Sequence, residues 1–172
     1  WDDVLPYFIK SENQERGQDN FHGVGGPLSV SDQRIQLPLL NEFQNAAEEF
    51  GIPKTEDFNT GNNYGCGYFQ VTEKDGFRCS TAVGYLNPIK NRKNLSIITN
   101  AHVKKINFEN KIAKEVEYWQ ENELKKITSN KEIILSSGAI GSPQILQTSG
   151  IGNSQKLKNL GIEMVHELKG VG

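Results

Sequence analysis

Near the end of the chain, an apolar run leads directly into a glycine turn and a helix start, and this order strongly limits the possible folds. Residues 132–136 (Glu-Ile-Ile-Leu-Ser) have the composition of a buried β-strand. Gly138 and Gly141 permit a positive φ or a close approach to the backbone. Ser142 then supplies a capping hydroxyl, and we predict a helix over 143–148, which begins at a proline. Free N–H groups at such a helix N-terminus can hold an anionic cofactor.

The preceding segment alternates between apolar and polar residues in three short runs. The runs are Val103–Phe108, Ala113–Trp119 and Glu123–Thr128, and turns at 109–111 and 120–122 separate them. This pattern predicts a three-stranded antiparallel meander with one polar face.

Two compact apolar runs flank the meander, at Leu95–Thr99 and Lys131–Ser136. Apolar runs without alternation are typical of parallel strands that are covered on both faces. We therefore predict a parallel strand on each side of the meander.

The first half of the chain contains more helix and more turn residues. A helix is predicted over 1–13 with Asp2 or Asp3 as its N-cap, and a second over 38–50, which Gly51 ends. Short elements are predicted as strands at 28–30 and 68–72 and as a helix at 80–86, and residues 52–67 are predicted as a long loop.

The 138–152 stretch resembles a sequence signature of the glucose-methanol-choline (GMC) family of flavin-dependent alcohol oxidoreductases. It contains a small pair, Ser-Pro, two aliphatic residues and then Ser-Gly-aliphatic-Gly. The resemblance covers essentially all 172 residues and is strongest to the choline dehydrogenase-like branch. Further matching segments occur in the order of that branch: Trp1–Phe8, His22–Leu28, Asp57–Asn59, Ala101–Val103 and Leu168–Gly172.

The resemblance implies a mixed α/β chain, an α+β piece of a larger fold. It would contain part of an FAD-binding Rossmann-like domain with an antiparallel β-meander at 102–129, and part of the substrate domain. Residues 1–90 would be the substrate-domain and lid segment, and residues 91–172 the FAD-binding segment. The family's Gly-x-Gly-x-x-Gly loop and catalytic histidine have no counterpart, so we expect an internal fragment without turnover of its own.

FAD is the cofactor that the resemblance implies, and it assigns six residues to FAD binding. The Val103 main chain would pair with the adenine edge, and the other five lie in the strand-to-helix turn. Tyr68 and Phe69 would face the flavin ring or the substrate. The five turn residues are Ser137, Gly138, Ala139, Ser142 and Pro143.

The resemblance implies oxidation of a primary alcohol to an aldehyde, with hydroxyl-proton removal and hydride transfer to the flavin. The electron acceptor stays open between oxygen and a quinone. Two other functions stay open as well: a GMC-fold lyase that keeps FAD, and a non-enzymatic binding domain. A non-enzymatic domain would have a closed core, whereas a fragment would expose apolar sheet edges.

None of the three histidines fits a catalytic base. His22 lies in a His-Gly turn, His102 lies next to Val103, and His166 falls in a predicted strand. We therefore assign no catalytic residue within this chain.

Composition excludes several partners. The net charge is −2 and the pI is about 6.0, so no basic surface for nucleic acid is expected. No apolar run is long enough to span a bilayer, and we expect a cytoplasmic protein, with membrane association left open. Cys66 and Cys79 have no metal-binding spacing, and we expect two reduced thiols and no metal site.

Overall fold

A computed structural model describes residues 1–172, which form two compact units, 1–96 and 97–172. The division lies six residues after the predicted boundary, and the functional role of each part stays a prediction. None of the helices is both long and apolar enough to cross a lipid bilayer.

The first unit consists of short elements joined by loops. Helix α1 runs directly into strand β1, which pairs in parallel with β2, and β3 and β4 form an antiparallel hairpin. The elements are α1 (Leu5–Ser11), β1 (Glu12–Gln14), β2 (Leu28–Val30), α2 (Pro38–Glu49), β3 (Glu73–Lys74), β4 (Phe77–Arg78) and a π-helical segment (Ala82–Leu86).

The N-terminal helix is shorter than the predicted 1–13, and neither Asp2 nor Asp3 is its N-cap. Helix α1 begins after Val4, no side chain caps it, and a proline lies in its first turn. It ends at Ser11 because the next three residues leave the helix and pair with β2. A long-range strand pairing thus overrides the helical pattern at the end of this segment.

Other predictions in the first unit have mixed outcomes. Helix α2 is confirmed, and Gly51 follows it with φ +96°. The predicted strand at 68–72 is wrong, because only Val71 makes a bridge, to Ser31, and the hairpin lies further on around a turn at 75–76. The predicted helix at 80–86 is π-helical over Ala82–Leu86.

The second unit contains the predicted meander. Strands β5, β6 and β7 pair antiparallel in that order, and helix α3 packs against β5. A smaller parallel pair, β8 and β9, follows, and it confirms a strand at His166. The elements are β5 (His102–Glu109), β6 (Ile112–Gln120), β7 (Glu123–Thr128), α3 (Gly138–Thr148), β8 (Ile151–Gly152), α4 (Ser154–Asn159) and β9 (His166–Glu167).

Both hairpins of the meander turn through two residues with positive φ. These are Asn110 and Lys111 in the first turn, and Glu121 and Asn122 in the second, with φ between 50° and 65°. Two consecutive positive φ values are the mark of a type I′ turn, whose twist matches that of antiparallel strands. Each predicted three-residue turn is therefore one residue shorter in the structure.

The two predicted parallel strands, Leu95–Thr99 and Lys131–Ser136, are wrong for this chain. Neither segment has a strand partner, and most of their residues are exposed. Ile134, at the centre of the second run, is 79% exposed. A strand needs a neighbouring strand for its main-chain hydrogen bonds, and none is provided at either position.

The buried apolar core is small. It consists of Cys79 in the first unit and Ile106, Tyr118 and Leu157 in the second. Many large apolar side chains are exposed, including those of Ile97 and Ile98. The chain therefore lacks the closed core expected of a self-contained binding domain, which disfavours that alternative.

One face of the meander carries the predicted polar residues. The Asn107 amide donates hydrogen bonds to Glu115 Oε1 (2.7 Å) and Glu117 Oε1 (2.9 Å), and Lys126 Nζ lies 3.2 Å from Glu117 Oε1. The Asn107 hydrogen bond, opposed by burial and supported by Lys126, lowers the pKa of Glu117 from 4.5 to about 2. The ionised carboxylate is thus held by the folded sheet.

We predict that Glu117 contributes stability that is lost in acid. Its pKa is lower in the folded state, so the contribution is complete above pH 4.5 and disappears as pH falls toward 2. Glu117→Gln should lower the free energy of unfolding by about 1–2 kcal/mol at pH 7, and by progressively less below pH 4.5. Urea unfolding at several pH values measures this difference.

The matched control is Glu123→Gln, because the Glu123 side chain lies on the same sheet but is 74% exposed. It should change stability by less than about 0.5 kcal/mol. A loss that is equal for both variants, or independent of pH for Glu117→Gln, would contradict this role.

Candidate functional site

Helix α3 begins earlier than predicted. It starts at Gly138, whose φ is +82°, a backbone conformation that glycine adopts readily and other residues rarely do. It contains Pro143 in its interior. Ser142 does not cap the helix N-terminus, because its Oγ accepts a hydrogen bond from the Ser137 N–H at 3.0 Å. The role predicted for the Ser-Pro pair as a helix start is therefore wrong. The predicted glycine turn before the helix is wrong as well, since Gly138 and Gly141 both lie within α3, although the positive φ expected for a glycine here occurs at Gly138.

The C-terminal end of α3 lies along the outer edge of β5. Thr148 Oγ1 donates toward Lys104 O at 3.0 Å, and the Ile106 N–H donates to Ser149 Oγ at 2.8 Å. Strand β5 has β6 on its other side only, so this outer edge would otherwise present free main-chain groups.

A cavity of about 360 Å³ lies between the start of β5 and one face of α3. The helix residues that line it recur at the spacing of one helical face, from 137 to 148. Its volume falls within the range of small-molecule sites. The cavity is lined by Ala101, His102, Val103, Lys104, Trp119, Ser137, Gly141, Gln144, Ile145 and Thr148.

The α3 N-terminus at this cavity carries no side-chain cap. The first N–H groups of an α-helix have no partner within the helix. Together with the positive end of the helix dipole, they favour a negatively charged group.

The first unit has a separate buried polar cluster around His22. Its imidazole is 5% exposed and lies between two carboxylates, with Nδ1 3.1 Å from Glu12 Oε2 and Nε2 3.0 Å from Asp57 Oδ2. The Nε2–Asp57 approach does not have the geometry of a hydrogen bond. Asp57 also accepts from the Asn59 N–H at 2.7 Å, which confirms an Asx-type turn at this point.

Gly23 follows His22 in a position that only glycine fits. A Cβ at this residue would collide with the carbonyl group of Ile9 in α1. The His-Gly turn therefore packs directly against the first helix.

Comparison with known proteins decides the family. The family model described as GMC oxidoreductase matches residues 1–168. This chain belongs to the GMC oxidoreductase family. Among its relatives is the oxygen-dependent choline dehydrogenase of Chromohalobacter salexigens, which is 46% identical over the whole of this chain and 32% of the relative.

Solved structures of similar proteins have the same fold as this chain. Pyridoxine 4-oxidase from Mesorbium loti superposes with a TM-score of 0.90 at 30% identity, over 98% of this chain and 33% of that protein. An FAD-dependent oxidoreductase from Chaetomium thermophilum superposes with a TM-score of 0.87 at 31% identity, over 100% of this chain and 32% of that protein. The expected family and fold class are confirmed, and the expected FAD cofactor agrees with the FAD-dependent oxidoreductase among these structures.

The chain spans about a third of the length of the curated GMC relatives that it matches. The activity, substrate and partners of the whole protein are therefore proposals.

The structure brings together two of the six predicted FAD-binding residues of this GMC chain. Val103 and Ser137 line the cavity between β5 and α3. The other four do not line it: Gly138 and Ala139 are exposed, and Ser142 and Pro143 lie further along α3.

Sequence reasoning missed most of the residues that line the cavity. Gly141, Gln144, Ile145 and Thr148 share one face of α3, but this face was hidden because the helix was predicted to begin at 143. The spacing 137, 141, 144, 148 was the signal that could have found them.

The two predicted substrate residues lie in the first unit. The Tyr68 hydroxyl donates to Asn41 Oδ1 at 2.8 Å, and the Phe69 ring stacks on Phe58 with the centroids 4.6 Å apart. Both line a polar depression of about 330 Å³, together with Arg16 and Asp32. Their contact with a flavin or a substrate stays a prediction.

We predict that His22 is a structural residue of this GMC chain. Replacing it with leucine leaves the carboxylates of Glu12 and Asp57 without their shared partner, while their side chains are only 18% and 16% exposed. His22→Leu should therefore lower the free energy of unfolding by about 2–4 kcal/mol. Urea denaturation measures the loss.

His166→Leu is the control, because His166 is exposed in β9. It should change stability by less than about 0.5 kcal/mol. Similar losses in both variants would show that the histidine between the two carboxylates has no special structural role.

Proposed function

We propose that the protein is an FAD-dependent alcohol oxidoreductase that converts a primary alcohol into an aldehyde, and that residues 97–172 supply one wall of its FAD site. The observation that carries this proposal is the cavity between β5 and α3. Val103 and Ser137 both line it, in a chain of the GMC family.

The chemistry of this cavity fits the adenosine end of FAD. Val103 lies on an edge strand. Further along the same edge, the main-chain groups of Lys104 and Ile106 are already used for contacts with α3. The edge at Val103 lies instead at the cavity, where its main chain can pair with the polar edge of an adenine. The Val103 and Ile145 side chains offer apolar contact with the ring.

The same cavity has a place for an anionic group. Ser137 lies at the uncapped N-terminus of α3, and Gln144, further along the same face of the helix, supplies a side-chain amide. The unpaired N–H groups of this terminus favour the ribose and diphosphate part of a dinucleotide. Gly138 and Ala139 stay candidates for this contact, because they form the first turn of the helix.

When bound, FAD would supply the redox chemistry, as the acceptor of the hydride from the carbon that bears the hydroxyl group. The residues of this chain bind and orient the adenosine end and contribute no acid or base. His102 lines the cavity but lies at its adenine side, so we assign it no proton transfer. The base that removes the hydroxyl proton comes from outside these 172 residues.

A primary alcohol is the substrate class that the relatives support. The names of two matched relatives refer to choline and to pyridoxine, and both molecules carry a CH₂OH group. One of these names also refers to oxygen, which supports oxygen as the electron acceptor to test before a quinone.

Anaerobic addition of choline to the purified, FAD-loaded whole enzyme tests this function, because the base that removes the hydroxyl proton lies outside these 172 residues. We expect the visible flavin absorbance to bleach and one equivalent of aldehyde to form for each flavin reduced. Readmitted oxygen should restore the absorbance, and a quinone should do so if oxygen does not. Flavin that stays oxidised with choline, pyridoxine and simple primary alcohols alike would overturn the proposal, and substrate cleavage without bleaching would identify a lyase.

Substitution of Val103 tests the main-chain contact with adenine. Val103→Ile keeps the N–H group and should change the Kd for FAD by less than about threefold, whereas Val103→Pro removes the donor and should weaken binding by at least about tenfold. Fluorescence titration of FAD gives both values, and circular dichroism confirms that each variant is folded.

Lys105→Pro is the control for the effect of proline on β5, because Lys105 lies two residues away and outside the cavity lining. If it weakens FAD binding as much as Val103→Pro in folded protein, the Val103 contact is refuted.

A further inference from the structure

We propose that Thr148 and Ser149 are positioning residues for the cofactor, a hydroxyl pair that holds β5 against α3 and sets the width of the cavity between them. This inference rests on the proposed function, since it concerns the same cavity.

Ser149 forms the stronger half of the pair. Its side chain is buried, with the residue 6% exposed, and its Oγ donates to Ile145 O at 2.5 Å while it accepts from the Ile106 N–H at 2.8 Å. One hydroxyl thereby joins the helix and the strand, and both its donor and its acceptor are used. Without it, a buried N–H of β5 loses its partner.

Thr148 acts at a β-bulge. The register moves from Val103 opposite Tyr118 to Lys105 opposite Glu117, so Lys104 is an extra residue with no partner in β6. A bulged residue leaves the strand ladder unpaired. The Lys104 carbonyl therefore faces α3. Thr148 Oγ1 lies 3.0 Å from Lys104 O and 3.1 Å from Ile145 O, so its hydroxyl group can donate to either carbonyl.

The position of the pair links it to the cofactor cavity. The two strand contacts are made one and three residues beyond Val103. Thr148 is the last residue of the cavity-lining face of α3, and Ser149 is the C-cap of this helix. Thr148 itself lines the cavity. The distance between Val103 and the α3 face is thus set by two side-chain hydroxyls rather than by apolar packing alone.

A site that must clasp a planar ring depends on such a distance to within about 0.5 Å. Loss of either hydroxyl should allow the strand edge to move away from the helix. The expected result is weaker binding of the cofactor by a protein that is still folded.

The test measures the Kd for FAD and the fluorescence of the bound flavin for Thr148→Val, Thr148→Ser, Ser149→Ala and the wild-type protein. Thr148→Val keeps the shape and removes the hydroxyl, and it should weaken FAD binding about three- to tenfold. Thr148→Ser restores the hydroxyl and should return the Kd to within about twofold of the wild type. Ser149→Ala should weaken binding by about tenfold or more.

Ser129→Ala is the matched control, because it also removes one side-chain hydrogen bond to a main-chain carbonyl, that of Glu132, but lies outside the cavity. It should leave the Kd unchanged. If Ser149→Ala does not fold, the comparison of Thr148→Val with Thr148→Ser decides, since Thr148 is an exposed residue at the end of the helix.

Two failures can be told apart. A wild-type protein that binds no FAD overturns the proposed function, whereas a wild-type protein that binds FAD with the same Kd as folded Thr148→Val and Ser149→Ala overturns only the positioning role. A fall in thermal midpoint without a change in Kd would mark both residues as merely structural.

Discussion

The outer edge of β5 is the feature on which the candidate site depends. An edge strand presents free N–H and C=O groups, and a protein has to cover them or use them. Here the end of α3 covers the edge at Lys104 and Ile106 through two hydroxyls, and the edge at Val103 opens into the cavity. The same strand edge therefore serves both structure and binding.

The meander that carries this edge is stabilised on its polar face as well as by packing. Asn107 and Lys126 hold the carboxylates of Glu115 and Glu117 in place, while Ile106 and Tyr118 are buried. Two I′ turns keep the three strands in register. This sheet has three strands, whereas the other sheets have two, and it positions the strand that faces the cavity.

The elements that were predicted correctly are those whose signals are local. The meander alternates with period two, and α2 ends at a glycine that takes a positive φ, so neighbouring residues determine both. The errors concern residues whose conformation depends on distant partners. Glu12–Gln14 leave the helical pattern because they pair with β2, and the apolar runs around Ile97 and Ile134 have no partner strand in this chain. Resemblance to the family drew attention to Val103, which lines the cavity, but no residue propensity indicates a main-chain contact or the hydroxyls at 148 and 149.

Hydrogen exchange of the main-chain amides, with and without FAD, tests the central claim most directly. The account predicts that FAD slows exchange in two separate segments, 101–106 and 137–145, because they form the two walls of one cavity. Slower exchange confined to the first unit, or no change in either segment while FAD is bound, would contradict it.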